Sequence, residues 1–144
     1  MELGFVTAIL PELALREILQ FASAEGFKCV EVMCWPVGKA ERRYAGVTHL
    51  DVTALGPGEA NSVRELTAKY NVAISSLGYY PNPLCADAAE RDKYAEHIGR
   101  VIKASSNLGI GRMTTFVGRD HLKSIEENWS LFQGVWKPLV ELAE

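Results

Sequence analysis

A chain of 144 residues with 48% hydrophobic content can bury a core of single-domain size, so one globular unit over residues 1–144 is expected. The 15 basic and 18 acidic side chains give a net charge of −3, which leaves no electrostatic footprint for nucleic acid or an anionic membrane surface. No apolar run approaches membrane-spanning length.

The amino terminus is apolar but acidic at Glu2, lacks a basic leader and meets Pro11 early, so it is not expected to act as a secretion signal. Cys29, Cys34 and Cys85 match no zinc or disulfide spacing and read as reduced thiols of a cytoplasmic protein. Asn128-Trp129-Ser130 has the form of a glycosylation sequon, but it sits in a helical pattern and is read as accidental.

In chain order, residues 3–10 form a short apolar run, and Pro11 with Glu12 suits the first turn of a helix. Leu15, Ile18, Leu19 and Ala22 then recur at helical spacing up to Gly26. Residues 28–35 switch to period two: Val30, Val32 and Cys34 on one face, Glu31, Met33 and Trp35 on the other. Pro36 ends that strand. Residues 37–58 are long for a connection and are read as functional, because Tyr44, His49, Leu50 and Val52 are too apolar for a solvated linker. A helix from Glu59 to Tyr70, closed by Asn71, leads into a strand over 72–78 that breaks into Gly78, Tyr79, Tyr80, Pro81, Asn82 and Pro83. A long helix over 87–108 precedes a fourth strand at 112–117, which ends in Gly118-Arg119-Asp120-His121. Ser124 and Glu127 form a capping box for the last helix, whose apolar stripe runs from Ile125 through Trp129, Phe132, Val135 or Trp136, Leu139 and Leu142, with a kink expected at Pro138.

Four strand-helix units without a hairpin signal predict a parallel α/β sheet with all strand ends on one rim. The rim is therefore the expected site. Trp35, Tyr79, Tyr80, Asn82, Phe116 and Arg119 are the candidate substrate contacts there. Trp35 either stacks on a substrate's face or caps the core. Asn82 is read either as a partner for hydroxyls or as an ordinary turn residue between prolines. Arg119 either neutralises a phosphate or shares a surface ion pair with Asp120. Glu31 and His49 are the weaker catalytic candidates. Glu31 is mid-strand on the face opposite the valines, where a carboxylate needs partners, and His49 has Asp51 two residues on, a spacing that permits a histidine-carboxylate pair. His97 is expected to be structural. Gly109-Ile110-Gly111 precedes a strand instead of following one, so it is not a dinucleotide fingerprint.

The phrases Ala-Glu-Gly-Phe-Lys-Cys-Val-Glu-Val at the second strand, Ser-Ser-Leu-Gly-Tyr-Tyr-Pro-Asn-Pro at the third and Thr-Thr-Phe-Val-Gly-Arg-Asp at the fourth resemble the xylose isomerase-like TIM-barrel family of sugar phosphate isomerases and epimerases. The resemblance covers the chain but only the amino-terminal half of that barrel, which needs about 250 residues when complete. It implies a parallel (β/α)4 half-barrel, a sugar or sugar phosphate as substrate, and metal-assisted proton transfer beside a carbonyl. It also implies a divalent metal (Mn, Mg, Co or Zn) in the complete enzyme, held by residues of strands five to eight. No metal is expected on this chain alone, and the isolated chain is expected to be inactive. The unfilled edges of a half-barrel predict a homo-oligomer or a complementary half-barrel as partner. Two rival readings stand beside this one: a noncatalytic sugar-binding or assembly module, and a flavodoxin-like domain, against which Leu10-Pro11-Glu12 stands where a phosphate loop belongs.

Overall fold

In the computed structural model residues 2–38 and 45–144 are described; Lys39, Glu41, Arg42, Arg43 and Tyr44, read above as part of the long connection, lie outside them. The strands are β1 (Gly4–Val6), β2 (Cys29–Met33), β3 (Ala73–Gly78) and β4 (Met113–Thr114), and the helices α1 (Leu15–Ala24), α2 (Pro57–Tyr70), α3 (Ala88–Leu108) and α4 (Ile125–Ala143). The sheet is parallel throughout with the order β1-β2-β3-β4. Each helix packs beside the next, and α1 to α4 all contribute to one core with Val30, Val32 and Leu77. Helices on one face and strands in sequential order make the α/β half of a TIM barrel. That order contains no switch point, which removes the flavodoxin-like reading.

The core is built by the period-two valines of β2. Val30, Val32 and Cys34 are fully buried against Ile18 and Leu19 of α1 and Ile98 and Val101 of α3. Each such aliphatic side chain contributes about 2 kcal/mol by leaving water. One irregularity keeps the two faces of β3 in phase with β2. Val30 pairs with Ile74 but Glu31 pairs with Ser76, so Ser75 is a bulge. The extra residue keeps Leu77 on the helix side and sets Ser76 opposite Glu31.

All four strands are shorter than the sequence suggests, most of all β1 and β4. After Val6 the chain tightens into a 3-10 turn over Thr7–Ile9, and the Thr7 hydroxyl takes the Met33 amide at 3.0 Å, a bond that a longer ladder would have filled. Expected over 112–117, β4 is paired only through Met113 and Thr114 because β3 runs out of donors: Tyr79 donates its amide to the Thr114 carbonyl at 3.1 Å, and Pro81 and Pro83 have no N–H to follow it. Helix α1 begins at Leu15, not at Glu12. The Glu17 carboxylate accepts the Ala14 amide at 2.8 Å and fixes the start there, leaving Pro11 in the preceding turn.

Asn71 closes α2 in the left-handed region with φ 51°, and the Ser124–Glu127 box caps α4 from both sides. Helix α4 runs through Pro138 to Ala143. Its apolar stripe is not wholly buried: Leu139 packs in the core, whereas Ile125 is 78% and Trp129 61% exposed.

Candidate functional site

Strand alternation places Glu31 on the face of the sheet opposite the helices, and three hydroxyls converge on it. Ser76 and Thr114 each donate to Oε2 at 2.7 Å, and the Tyr80 phenol donates to Oε1 at 2.5 Å. A half-buried carboxylate is costly unless it is bonded, and charge-assisted bonds of this kind are the strong ones. Glu31 thus ties together β2, β3 and β4. The phenol of Tyr80 is pushed above its ordinary pKa by burial first and then by its bond to Glu31, which favours the protonated form.

Gly78 makes this convergence possible. A Cβ there would lie 2.2 Å from Met33 Cε and 3.0 Å from Glu31 Oε1, so a larger residue would displace the groups that meet at the site. Beside the carboxylate, the rings of Tyr80 and Phe116 stand 5.0 Å apart, and Phe116 is 56% exposed. They form an aromatic wall on the open face. Its floor toward β1 is apolar, made of Ala8, Met33 and Val47 with Trp35 and Tyr80 packed against them.

Val47 arrives from the long connection, which folds back over the end of β2. Cys34 and Thr48 form an antiparallel bridge, and the Thr48 hydroxyl donates to the Trp35 carbonyl at 2.8 Å. The same segment brings in His49. Its Nε2 lies 3.2 Å from the Leu10 carbonyl, which only accepts, so Nε2 carries the proton and the Thr7 hydroxyl donates to Nδ1 at 2.8 Å. The pairing with Asp51 that the spacing allows is not formed. Asp51 instead accepts the amide and hydroxyl of Thr53 at 2.9 and 2.6 Å, and those bonds hold its carboxyl below the ordinary value.

The two adjacent tyrosines face opposite ways. Tyr80 joins the Glu31 group, whereas Tyr79 is 1% exposed in the core, edge-on to Trp35 at 4.9 Å and to His97 at 4.6 Å. Burial raises the Tyr79 phenol well above its usual range. His97, expected to be structural, donates from Nε2 to the Cys34 carbonyl at 2.7 Å and anchors α3 to the end of β2.

Asn82 is committed to the rim's own backbone. Its Oδ1 accepts the Arg119 amide at 2.9 Å and the Leu84 amide at 3.2 Å, and its Nδ2 donates to the Arg119 carbonyl at 2.9 Å. This clamp locks the β3 loop to the β4 loop. Arg119 is exposed, and its guanidinium makes no bond among the described residues. The ion pair considered between Arg119 and Asp120 is absent: Asp120 is buried, accepts the Leu122 amide and lies 3.9 Å from Lys123.

Thr7, Ser76 and Thr114 were not among the sequence candidates. Ser76 and Thr114 share a face with Tyr80 and Phe116 by alternation, but the bulge at Ser75 conceals that register from a simple count. Hydroxyls also carry little signal until the carboxylate they serve is placed.

Among the described residues, the candidate ligands Glu31 and His49 are each already bonded within the protein: both Glu31 oxygens are engaged by hydroxyls, and both His49 nitrogens are bonded. No group of three His, Cys, Asp or Glu converges among the described residues.

Both His49 and His97 have pKa values lowered from 6.5, by burial above all. Below about pH 6.5 the unfolded chain then binds more protons than the folded one, so stability falls as pH drops through that value and levels off below the folded pKa values. Urea unfolding at pH 7.5 and 5.5 is expected to show this loss, and a His49→Gln/His97→Gln variant should show a smaller one.

The family model described as xylose isomerase-like TIM barrel matches residues 19–144. Among solved structures, the chain is similar to D-psicose 3-epimerase with D-tagatose from Clostridium cellulolyticum H10, at 12% identity and TM-score 0.68, covering 99% of this chain and 48% of that one. The IolI protein with a binding zinc atom is similar at 14% identity and TM-score 0.61, covering 100% of this chain and 48% of that one. A xylose isomerase domain containing protein from Salmonella typhimurium LT2 is similar at 15% identity and TM-score 0.60, covering 97% and 46%. The chain therefore spans about half the length of these structures. Comparison with curated proteins gave no match.

Proposed function

The chain belongs to the xylose isomerase-like TIM barrel family, and from that premise we propose that it forms the substrate-contacting arc of a sugar isomerase or epimerase, whose reaction moves a proton at a carbon beside a carbonyl. The observation that carries the reading is the open face itself: an aromatic wall of Tyr80 and Phe116 beside a carboxylate hub, at the carboxyl ends of parallel strands.

In this reading Phe116, Tyr80 and the half-buried Trp35 present ring faces and edges to the apolar side of a sugar ring. Tyr79 supports Trp35 from the core, Asn82 holds the rim in shape, and Arg119 offers a free guanidinium to a phosphate or other anionic group. Glu31 orients Tyr80 by accepting its hydroxyl. His49, neutral and bonded on both nitrogens, seats the long connection. The acids and the divalent metal belong to strands five to eight of the complete barrel and would come from a complementary half; a homo-oligomer partner would cover the open edges without supplying them. The zinc in the similar IolI structure supports a metal in such a complete site. The whole arc, residues 1–144, acts as one domain of a cytoplasmic protein.

A noncatalytic sugar-binding module is the second reading, favoured by one observation: Glu31, the carboxylate at the centre of the open face, already accepts from three protein hydroxyls. Intrinsic fluorescence titrated with a ketohexose and with its phosphate tests the shared claim of sugar contact. Phe116→Ala, at an exposed ring, is expected to weaken binding about tenfold, or about 1.4 kcal/mol, with little change in stability. Arg119→Ala should weaken only the phosphorylated sugar. Unchanged affinity in Phe116→Ala would remove the aromatic wall from the site.

A further inference from the structure

Each hydroxyl around Glu31 has one proton to give, and all three give it to the same carboxylate. Ser76 and Thr114 donate to Oε2 at 2.7 Å, and Tyr80 donates to Oε1 at 2.5 Å. An ionised carboxylate only accepts, so none of these protons turns toward a ligand without costing Glu31 a bond. Ser76 is buried, but Tyr80 and Thr114 are half-buried on the open face. Their oxygens therefore meet a ligand with lone pairs only. Thr114 has a second internal acceptor within reach, the Leu77 carbonyl at 3.4 Å, so its proton stays inside the protein in either orientation. The ring of Tyr80 packs beside Phe116 at 5.0 Å, which keeps its phenol on Oε1. At the rim the polarity reverses. Asn82 spends its amide on the Arg119 carbonyl, and the exposed Arg119 guanidinium offers donors alone.

We propose that the Glu31 hub is a donor-selective subsite: Tyr80 and Thr114 accept from hydroxyls of the substrate, and groups that only accept, such as a carbonyl or phosphate oxygen, are turned away from it. This rests on the sugar-contacting reading under the proposed function and fixes which way round the sugar lies. A run of hydroxyl-bearing carbons sits over the hub, with its C–H face on the rings of Tyr80 and Phe116. The carbonyl lies off the hub, and a phosphate, where present, lies toward Arg119. A hydroxyl that donates to a carboxylate is polarised and becomes a better acceptor, so the charge of Glu31 reaches the substrate through Tyr80 and Thr114. Glu31 is thus a positioning residue, and the two hydroxyls make the contacts.

A ketohexose is compared with its mono-deoxy and mono-deoxyfluoro forms, one hydroxyl at a time, by fluorescence titration of the full chain. Fluorine accepts weakly and donates nothing, so a donor-selective subsite treats fluorine and hydrogen alike. For at least one hydroxyl, both analogues are expected to bind about tenfold more weakly than the parent sugar. Tyr80→Phe and Thr114→Val each remove an accepting oxygen and should narrow that gap between parent and analogues. A purely structural role would weaken parent and analogues by the same factor and leave the gap intact. Deoxyfluoro forms that bind as well as the parent at every position, or a gap unchanged in both variants, would overturn the proposal while sugar binding itself stands. Absence of binding by any ketohexose would instead sink the functional reading and this inference with it, so the two failures are distinguishable.

Discussion

Glu31→Ala is expected to destabilise the fold by about 3 kcal/mol, because it strands three hydroxyls whose bonds to a charged acceptor are each worth about 1.5–3 kcal/mol and do not add in full. Ser76, Tyr80 and Thr114 lose their common partner at once, and β2, β3 and β4 lose the group that joins them on the open face. Glu31→Gln keeps the volume but turns one acceptor end into a donor, so one hydroxyl must find another partner at a cost of about 1–2 kcal/mol. Urea unfolding monitored by circular dichroism measures both. Spectrophotometric titration adds a site-specific readout: in Glu31→Ala the Tyr80 phenol should fall back toward the ordinary tyrosine pKa, since one cause of its elevation is gone. Loss of stability below 0.5 kcal/mol in Glu31→Ala would show that the carboxylate is not the hub described.

Gly118→Ala is expected to cost about 2–3 kcal/mol for two separate reasons. The residue sits at φ +79°, a region that costs a side-chain-bearing residue about 1–2 kcal/mol. Its added Cβ would also lie 2.3 Å from Asn82 Oδ1 and 2.9 Å from Pro83 Cδ, inside the clamp that holds the two rim loops together. Because the clash is with Asn82 itself, the two substitutions should couple. Asn82→Ala alone should cost about 1–2 kcal/mol for its lost bonds, and the double variant less than the sum of the singles. A fully additive double-mutant cycle would show that Gly118 acts through backbone strain alone.

Much of this fold is legible in the sequence because its signals are local. The alternation of Val30, Val32 and Cys34, the αL stop at Asn71 and the Ser124–Glu127 box each depend on a few neighbouring residues. Strand length is not local: β1 stops because the Thr7 side chain replaces a ladder bond, and β4 stops because prolines sit on its partner. The candidate site shows the same division. Period two places Glu31 opposite the core, but the identity of its partners depends on a bulge at Ser75 and on a strand 83 residues away. Tyr79 and Tyr80 look equivalent side by side, and only strand direction sends one to the core and the other to the hub. The nearness of His49 and Asp51 in sequence suggests a pair, yet Thr53, equally two residues away on the other side, takes the carboxylate in a turn. The apolar stripe of α4 is plain in the sequence, and what it cannot show is that Ile125 and Trp129 lack a covering element among the described residues.

The central claim, that this chain contributes sugar contacts while the proton-moving groups lie beyond its four strands, is tested most directly by one assay. The purified chain would be mixed with ketohexoses with and without Mn²⁺ or Mg²⁺, and both sugar binding and isomer formation would be followed. The account predicts saturable binding that Phe116→Ala weakens, and no turnover with either metal. Metal-dependent isomerisation by the purified chain would contradict it.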